Sequence, residues 1–436
     1  MLRRIKMAEA IKGGGGESAC SKKSHIEVAD ILREHIGDYQ NKYTLTFGQY
    51  KVVYDLLNCR TEYLGGHIER CDHCGAERIA YNSCRNRHCP KCQNIPREKW
   101  IEARKSELLP VIYFHNIFTL PHDLNSLILS NKKVMLNILF KSVSETLLTF
   151  GNNPNKGLGG KLGFITILHT WDQLLNAHFH LHCVIPGGAI SNDWMCWNPS
   201  KDDYLFNVEA LSLVFRGKFI DYMTKAYHKG TLSFPGISAS FGSPEGFQKL
   251  KDRLYSHNWV VYSKEPLTCP DNVLEYLGRY THRVAISNSR IISLEDGKVT
   301  FKYKNRKTNQ MDETTLDAVE FIRRFLLHTL PKGFVRIRHF GFLANRNKRA
   351  NLKKIRQVLG VSLGSDQYIE KSLEEIMLQL TGIDITMCPI CKRGKMHIVE
   401  EIPERTGLSA AHIIKPSIKN SLSLADFTHA YRLTYD

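Results

Sequence analysis

The sequence predicts an α+β fold: a small cysteine-rich module, then a larger domain of strands flanked by helices, then a mostly helical C-terminal region. Three observations carry it. Five of the twelve cysteines lie between Cys71 and Cys92. The stretch AHFHLHCVIP, Ala177 to Pro186, alternates histidines and then runs apolar, as a strand does. Segments with apolar residues at three- and four-residue spacing flank both, as amphipathic helices do.

A chain of 436 residues exceeds one ordinary domain of roughly 100 to 200 residues. Four regions are expected: a flexible leader (1–25), a helical and zinc-binding domain (26–105), a catalytic domain (106–318) and a C-terminal helical region with a cysteine pair (319–436). Apolar residues make up 42% and charged residues 24%, ordinary globular figures, and no window resembles a membrane span. The N-terminus lacks the apolar core of a secretory signal. A soluble, cytoplasmic protein is expected, in which a disulfide framework is unexpected and clustered cysteines point to metal. Sixty Lys and Arg against 43 Asp and Glu give a formal net charge of +17. Such a surface suits a polyanion, nucleic acid first, which would hold a DNA-binding protein at the nucleoid.

Taken in order, IEVADILREHIGDYQNKYTLTFGQYKVVYDLLN reads as two helices leading into the cysteine cluster, and REKWIEARKSELLP as a short charged helix after it. VIYFHNIFTLP is rich in β-branched and aromatic residues and ends on proline, so a strand is predicted, followed by helix from about Leu124 to Phe150. After the loop GNNPNKGLGG, KLGFITILHTWDQ and AHFHLHCVIPGGAIS read as two strands with a short connection. LSLVFRGKFIDYMTKAY is helical, and PDNVLEYLGRYTHRV opens with a proline and an N-cap aspartate, which places Tyr276 and Tyr280 on a helix. RIISLEDGKVTFKYKN carries a turn signal between β-rich arms and predicts a hairpin.

The cysteine cluster contains two CxxC pairs, Cys71/Cys74 and Cys89/Cys92. Each pair can aim two thiolates at one tetrahedral ion, and the two pairs lie about fifteen residues apart, which matches a zinc ribbon. Cys59, His67, Cys84 and His88 remain as ligands for an interleaved second site of two sulfurs and two nitrogens. Structural zinc needs no open coordination position, so this module is expected to fold and to bind DNA without catalysis. Cys388 and Cys391 form half a knuckle with only His397 nearby.

On a strand, residues i and i+2 project the same way about 6.6 Å apart, whereas i and i+4 are about 13 Å apart. One adjacent pair out of His178, His180 and His182 therefore meets an ion. His180 and His182 are favoured, because Leu181 between them anchors the opposite face in the core. Alternating histidines also occur as a polar strip, and in oxygenases. As a site, two neutral imidazoles suit Mn²⁺ or Mg²⁺ bridging to phosphate oxygen, with His115 and His169 as candidates for a third ligand. Tyr276 and Tyr280, four apart, share a helical face, an arrangement that also serves plain aromatic packing. A phenolate is a competent nucleophile toward a phosphodiester, and Arg279, His282 and Arg283 are placed to offset its high pKa and to contact DNA.

The order of these parts resembles the rolling-circle, two-tyrosine transposases of the HUH endonuclease superfamily that carry an N-terminal zinc-binding domain, the insertion-sequence-91 family. The likeness rests on LGGHIERCDHCG, SCRNRHCPKCQ, FTLPHDL, HTWDQLLNAHFHLHCVIPGG, YLGRYTHRVAIS and GFLANRNK. It implies a central antiparallel sheet with the histidine pair on a middle strand and the tyrosines on a flanking helix. It assigns a catalytic divalent ion, Mg²⁺ or Mn²⁺, to His180 and His182, and nucleophile roles to Tyr280 and Tyr276, with Tyr280 the more general of the two. The implied activity is nicking of single-stranded DNA at element ends through a 5′-phosphotyrosine, followed by joining to target DNA. A plasmid replication initiator or relaxase shares that chemistry, and a non-catalytic zinc-finger regulator explains only the charge and the cysteines.

Overall fold

The computed structural model describes residues 26–201, 203–264, 266–267, 273, 276, 278, 281–305, 307–361 and 371–405. It is α+β, with antiparallel sheets flanked by helices.

Helices Val28–Lys42 and Phe47–Asn58 form where the apolar periodicity predicts them, the second opened by a capping box of Thr46 and Gln49 that satisfies two orphan backbone groups. Their buried faces, Ile31, Leu32 and Ile36 with Val53, Leu56 and Leu57, share one core with Phe301, Phe321 and Phe325. Phe301 comes from the three-stranded sheet of Ile291–Glu295, Lys298–Lys304 and Met311–Asp317; the other two come from helix Ala318–Leu327. The predicted hairpin is present. It turns on Asp296 and Gly297, both at positive φ (49° and 69°), the conformation that a tight two-residue turn requires. This core is assembled from residues on both sides of positions 105 and 318.

The second core is built on a five-stranded sheet in the order Ile337–Gly341, Gly163–Trp171, Ala177–Pro186, Tyr113–Thr119, Val261–Ser263, with every neighbouring pair antiparallel. The histidine strand is the middle one. Alternation sends Phe179, Leu181, Cys183 and Ile185 to one face, where they pack with Phe118, Phe164 and Leu168 against helices Lys132–Asn152 and Val208–His228. Each such buried side chain contributes about 1.5–3 kcal/mol, so a one-residue slip of this strand is strongly disfavoured. The opposite face carries His178, His180 and His182. Their register is set by His180 standing opposite Thr119 and His169, and His182 opposite Ile117 and Ile167.

The turn between the two central strands is held from within and from outside. The Asp172 carboxylate accepts from the backbone N–H groups of Leu174 and Asn176, both at 2.8 Å. Arg290 donates to the Gln173 carbonyl at 2.6 Å and Arg324 to that of Leu174 at 3.1 Å. His328 Nε2 donates to the Leu175 carbonyl at 3.1 Å, and Leu175 itself sits fully buried at φ 63°. A non-glycine residue in that conformation persists only where its surroundings over-determine it.

The region after residue 318 supplies the expected helices, Ala318–Leu327, Lys348–Val358 and Leu373–Thr381, and also two strands absent from the sequence reading. Ile337–Gly341 closes one edge of the central sheet, and Met396–Ile402 pairs with Gly66–Cys71, which pairs in turn with Glu77–Tyr81. Both strands carry charged residues on short runs, which hides their alternation.

His328 yields a test. Burial holds its pKa at about 4, and its Nδ1 accepts from the Thr170 hydroxyl at 3.1 Å. The unfolded chain protonates near pH 6.5. Between pH 6.5 and 4 the unfolded state therefore binds a proton that the folded state does not. Stability conferred by the neutral imidazole is complete above that window and falls with pH by up to about 1.4 kcal/mol per unit. His328→Gln should flatten the pH dependence of urea unfolding between pH 7 and 5 by one proton; equal slopes would refute this account.

Candidate active site and metal centres

The histidine face of the central sheet gathers His169, His180 and His182, whose ligand atoms all lie within 4.8 Å of one another. All three are buried, at 4%, 7% and 5% exposure. The period of two puts His180 beside His182, and the antiparallel register brings His169 directly across. His180 Nδ1 donates to the His178 carbonyl at 3.0 Å, which leaves its lone pair on Nε2. His178 is the histidine left over: its ring stacks on that of His122 at 5.5 Å and lies outside the group. Burial, then the neighbouring His169 and His180, hold the pKa of His182 well below its ordinary value. It is neutral near pH 7, the form that binds a metal. Three inward-facing imidazoles form a donor set that fits a divalent transition ion.

His115, the other candidate for third ligand, occupies a different place. It is fully buried on strand Tyr113–Thr119, with Nε2 2.9 Å from His182 Nδ1. Its Nδ1 makes a short hydrogen bond with the Tyr276 hydroxyl. A line of hydrogen bonds thus runs from Tyr276 through His115 to a member of the histidine group. Burial, with Lys264 adding to it, lowers the pKa of His115 to about 3. The Lys264 ammonium stands 5.4 Å from the centre of the Tyr276 ring. No local sequence signal marks His115 for this position; only the strand register supplies it.

Tyr276, with Val273 and Gly278, is helical as predicted, while Tyr280 and Arg279 lie outside the described residues. His282, proposed from the sequence as a DNA contact, sits with its ring 6.4 Å from Trp100. Burial, with Arg336 and Arg97 nearby, takes its pKa down to about 4, so it offers no positive charge near neutral pH. Arg283 is exposed, and its carbonyl accepts from Arg336 at 3.0 Å.

The cysteines assemble differently from the ribbon expected of them. Cys89 and Cys92 join Cys59 and Cys84, not Cys71 and Cys74, in a buried group of four sulfurs. Cys59 Sγ lies 3.4 Å from Cys92 and 3.6 Å from Cys89, and Cys84 lies 3.7 Å from Cys92. Cys59 caps the C-terminal end of helix Phe47–Asn58, so the helical core delivers it. Cys71 and Cys74 face Cys388 and Cys391 instead. The pairing is set by a chain segment more than three hundred residues downstream, which spacing within the cluster does not reveal. The second site of two sulfurs and two nitrogens is likewise not formed. Among the described residues, His67 and His88 belong to no ligand group, and His67 pairs with Glu69 at 3.3 Å. Burial, followed by Arg336 and Arg87, takes the pKa of His88 to about 3. His397 pairs with Asp72 at 3.3 Å. Four closely set thiols without an open position are the donor set of structural zinc. Among the described residues no helix is long and apolar enough to cross a membrane.

Comparison with known proteins places a zinc-binding module ahead of a larger domain. Residues 31–120 match a family described as "Transposase zinc-binding domain", a range that contains Cys59, Cys71, Cys74, Cys84, Cys89 and Cys92. Residues 163–351 match one described as "Putative transposase". The chain is 42% identical over 389 residues to "Putative transposase y4qJ" of Sinorhizobium fredii (strain NBRC 101917 / NGR234), covering 88% of this chain and 98% of that protein. It is 27% identical over 312 residues to "Transposase for insertion sequence element IS801" of Pseudomonas savastanoi pv. phaseolicola, covering 71% of this chain and 73% of that one. No solved structure matches. A zinc-binding N-terminal module joined to a transposase domain, with close identity along nearly the full length of a relative, establishes that the chain belongs to the insertion-sequence-91 family of transposases.

Proposed function

We propose that this transposase nicks single-stranded DNA at element ends by attack of a tyrosine on the scissile phosphodiester, and rejoins the strand elsewhere in rolling-circle transposition. One observation carries the reading: the hydrogen-bonded line from Tyr276 through His115 to His182, beside a three-histidine group. The chemistry is balanced within the chain, the DNA and solvent. The tyrosine oxygen gives up its proton to solvent and bonds to phosphorus, the bond to the 3′ oxygen breaks, and that oxygen takes up a proton from solvent and leaves as a hydroxyl while the 5′ end stays on the tyrosine. The retained phosphodiester energy then serves rejoining by a later 3′-hydroxyl.

His169, His180 and His182 would hold the divalent ion, Mn²⁺ matching imidazole nitrogen better than Mg²⁺ does. When bound, such an ion stabilises charge on the phosphate oxygens. The remaining work belongs to the side chains. In the tautomer that offers Nε2 of His182 as a ligand, its Nδ1 carries the hydrogen and donates to His115 Nε2. His115 then carries its own hydrogen on Nδ1 and donates to the Tyr276 oxygen. An oxygen that accepts such a bond is favoured as phenolate, and the Lys264 cation beside the ring acts in the same direction. Tyr276 is thus the nucleophile whose surroundings are described, with Tyr280 its partner by sequence spacing and Arg279 and Arg283 the nearby cations by position in the chain. A regulator without catalysis leaves this buried line without a use.

Incubation with single-stranded element-end DNA and Mn²⁺ should give a denaturation-resistant adduct, lost in Tyr276→Phe/Tyr280→Phe; an undiminished adduct in that variant rejects the mechanism. Peptide mapping should show that His115→Phe lowers adduct on Tyr276 by about a hundredfold or more, within the range of positioned proton donors and acceptors. His115→Gln, which still donates and accepts, should restore part of it. Mn²⁺ titration followed by electron paramagnetic resonance tests the ion site without any turnover. His169→Ala, His180→Ala and His182→Ala should each weaken binding by at least about tenfold, and His178→Ala should leave it unchanged. Equal weakening in His178→Ala would mean that the wrong histidines have been grouped.

A further inference from the structure

We propose that Cys71, Cys74, Cys388 and Cys391 hold a second zinc ion, which clasps the C-terminal segment onto the N-terminal hairpin. The four ligand atoms lie within 4.8 Å of one another, with Cys71 Sγ 3.7 Å from Cys391 and Cys74 Sγ 3.7 Å from Cys388. Thiolates at about 2.3 Å from a shared tetrahedral centre stand about 3.8 Å apart. The sulfurs already occupy the corners that zinc requires.

The backbone around them repeats one motif twice. In the first turn Gly75 N–H donates to the Cys71 carbonyl, and in the second Lys392 N–H donates to that of Cys388, both at 3.1 Å. Gly75 and Lys392, each just after the second cysteine of its pair, have φ of 71° and 55°. Backbone N–H groups aim at sulfur in both turns, from Cys74 to Cys71 Sγ at 3.5 Å and from Gly394 to Cys391 Sγ at 3.4 Å. These are two matched knuckles meeting face to face. Gly394 has no room for a side chain, since a Cβ there would lie 2.5 Å from Cys71 Sγ.

Apolar burial does not hold this unit together. No residue of Glu77–Tyr81 or of Met396–Ile402 is buried, and strand Gly66–Cys71 buries only Gly66 and Cys71. Helix Leu373–Thr381 buries Ile376 alone. A sheet so small and so wet needs another source of stability, which a structural ion supplies as folding free energy. The two thiol groups also differ in reach. The Cys59 group is wholly buried, while Cys74 is exposed and Cys391 half-exposed. The clasp closes across 314 residues, from Cys74 to Cys388. It therefore forms only once nearly the whole chain is present, and it is the ion that solvent reaches first.

The full-length chain carrying His180→Ala/His182→Ala, so that the histidine group adds no ion to the count, is purified with zinc under reducing conditions. It should contain two zinc ions per chain by elemental analysis, and the cysteine variant is counted in the same background. A colorimetric chelator should remove one quickly and one slowly. Cys388→Ser/Cys391→Ser should keep one zinc, lose the fast phase, and become sensitive to protease between residues 371 and 405. Replacement of zinc by cobalt in the unaltered protein gives a reading independent of how the variant folds: thiolate charge-transfer absorbance should match eight cobalt–sulfur bonds. One zinc per chain with the cysteines intact, absorbance matching four bonds, or two zinc ions retained in Cys388→Ser/Cys391→Ser would each overturn the proposal.

Discussion

The turn from Asp172 to Asn176 is the constraint on which the histidine face depends. It joins the two strands that contribute His169, His180 and His182, and their mutual register decides whether three imidazoles meet or point apart. A shift of one residue sends every side chain of a strand to the other face. Two devices prevent it: the apolar packing of Phe179, Leu181 and Ile185 beneath, and the clamping of three successive turn carbonyls by Arg290, Arg324 and His328 from outside. Those three residues belong to the segment that packs with the N-terminal helices. The core that carries the Cys59 group thus also fixes the geometry of the histidines, which ties the zinc-binding module to the transposase domain by contact as well as by sequence.

The electrostatic character of the site follows from the same packing. Buried imidazoles beside one another cannot share positive charge cheaply, so burial and mutual proximity both hold His115 and His182 neutral. Neutral rings have one donor and one acceptor nitrogen each, and a chain of them must choose a polarity. His180 is already fixed by the His178 carbonyl. For His182 and His115 the choice is joint, since the nitrogen used toward one neighbour dictates what is offered to the next. The proposed ion and the tyrosine oxygen are thereby coupled through side chains that need not move.

Much of this was legible in the sequence because it depends on local period. The strand at Ala177–Pro186, the helices at 28–58, the hairpin turn at Asp296–Gly297 and the reduction of three histidines to an adjacent pair all follow from spacing. What was not legible depends on meetings between distant segments. The choice of His169 over His115 as companion to the pair comes from which neighbouring strand residue stands opposite His180, a fact of pairing register. The partition of the cysteines failed for the same reason: Cys59 arrives on a helix and Cys388 and Cys391 on a distant knuckle, so nearness in sequence misassigned both groups. The strands Ile337–Gly341 and Met396–Ile402 escaped notice because each completes an edge and carries the charged residues that edges favour.

One strand therefore performs two incompatible tasks by separating them across its thickness. Its lower face must be apolar and tightly packed to hold the sheet on its helices, while its upper face must present ring nitrogens at fixed separations. Leu181 serves the first and its neighbours His180 and His182 the second. The contact with the tyrosine helix is of another kind, since there the Tyr276 hydroxyl meets His115 and Lys264 lies over the Tyr276 ring, while Val273 packs with Tyr113, Ile165 and Val184 of the sheet. The ligand geometry is a property of the sheet and of the turn that Arg290, Arg324 and His328 clamp. In the proposed reaction the helix adds a tyrosine oxygen to a site whose other half is already held in register, which is the arrangement that pre-organised chemistry on a phosphate demands.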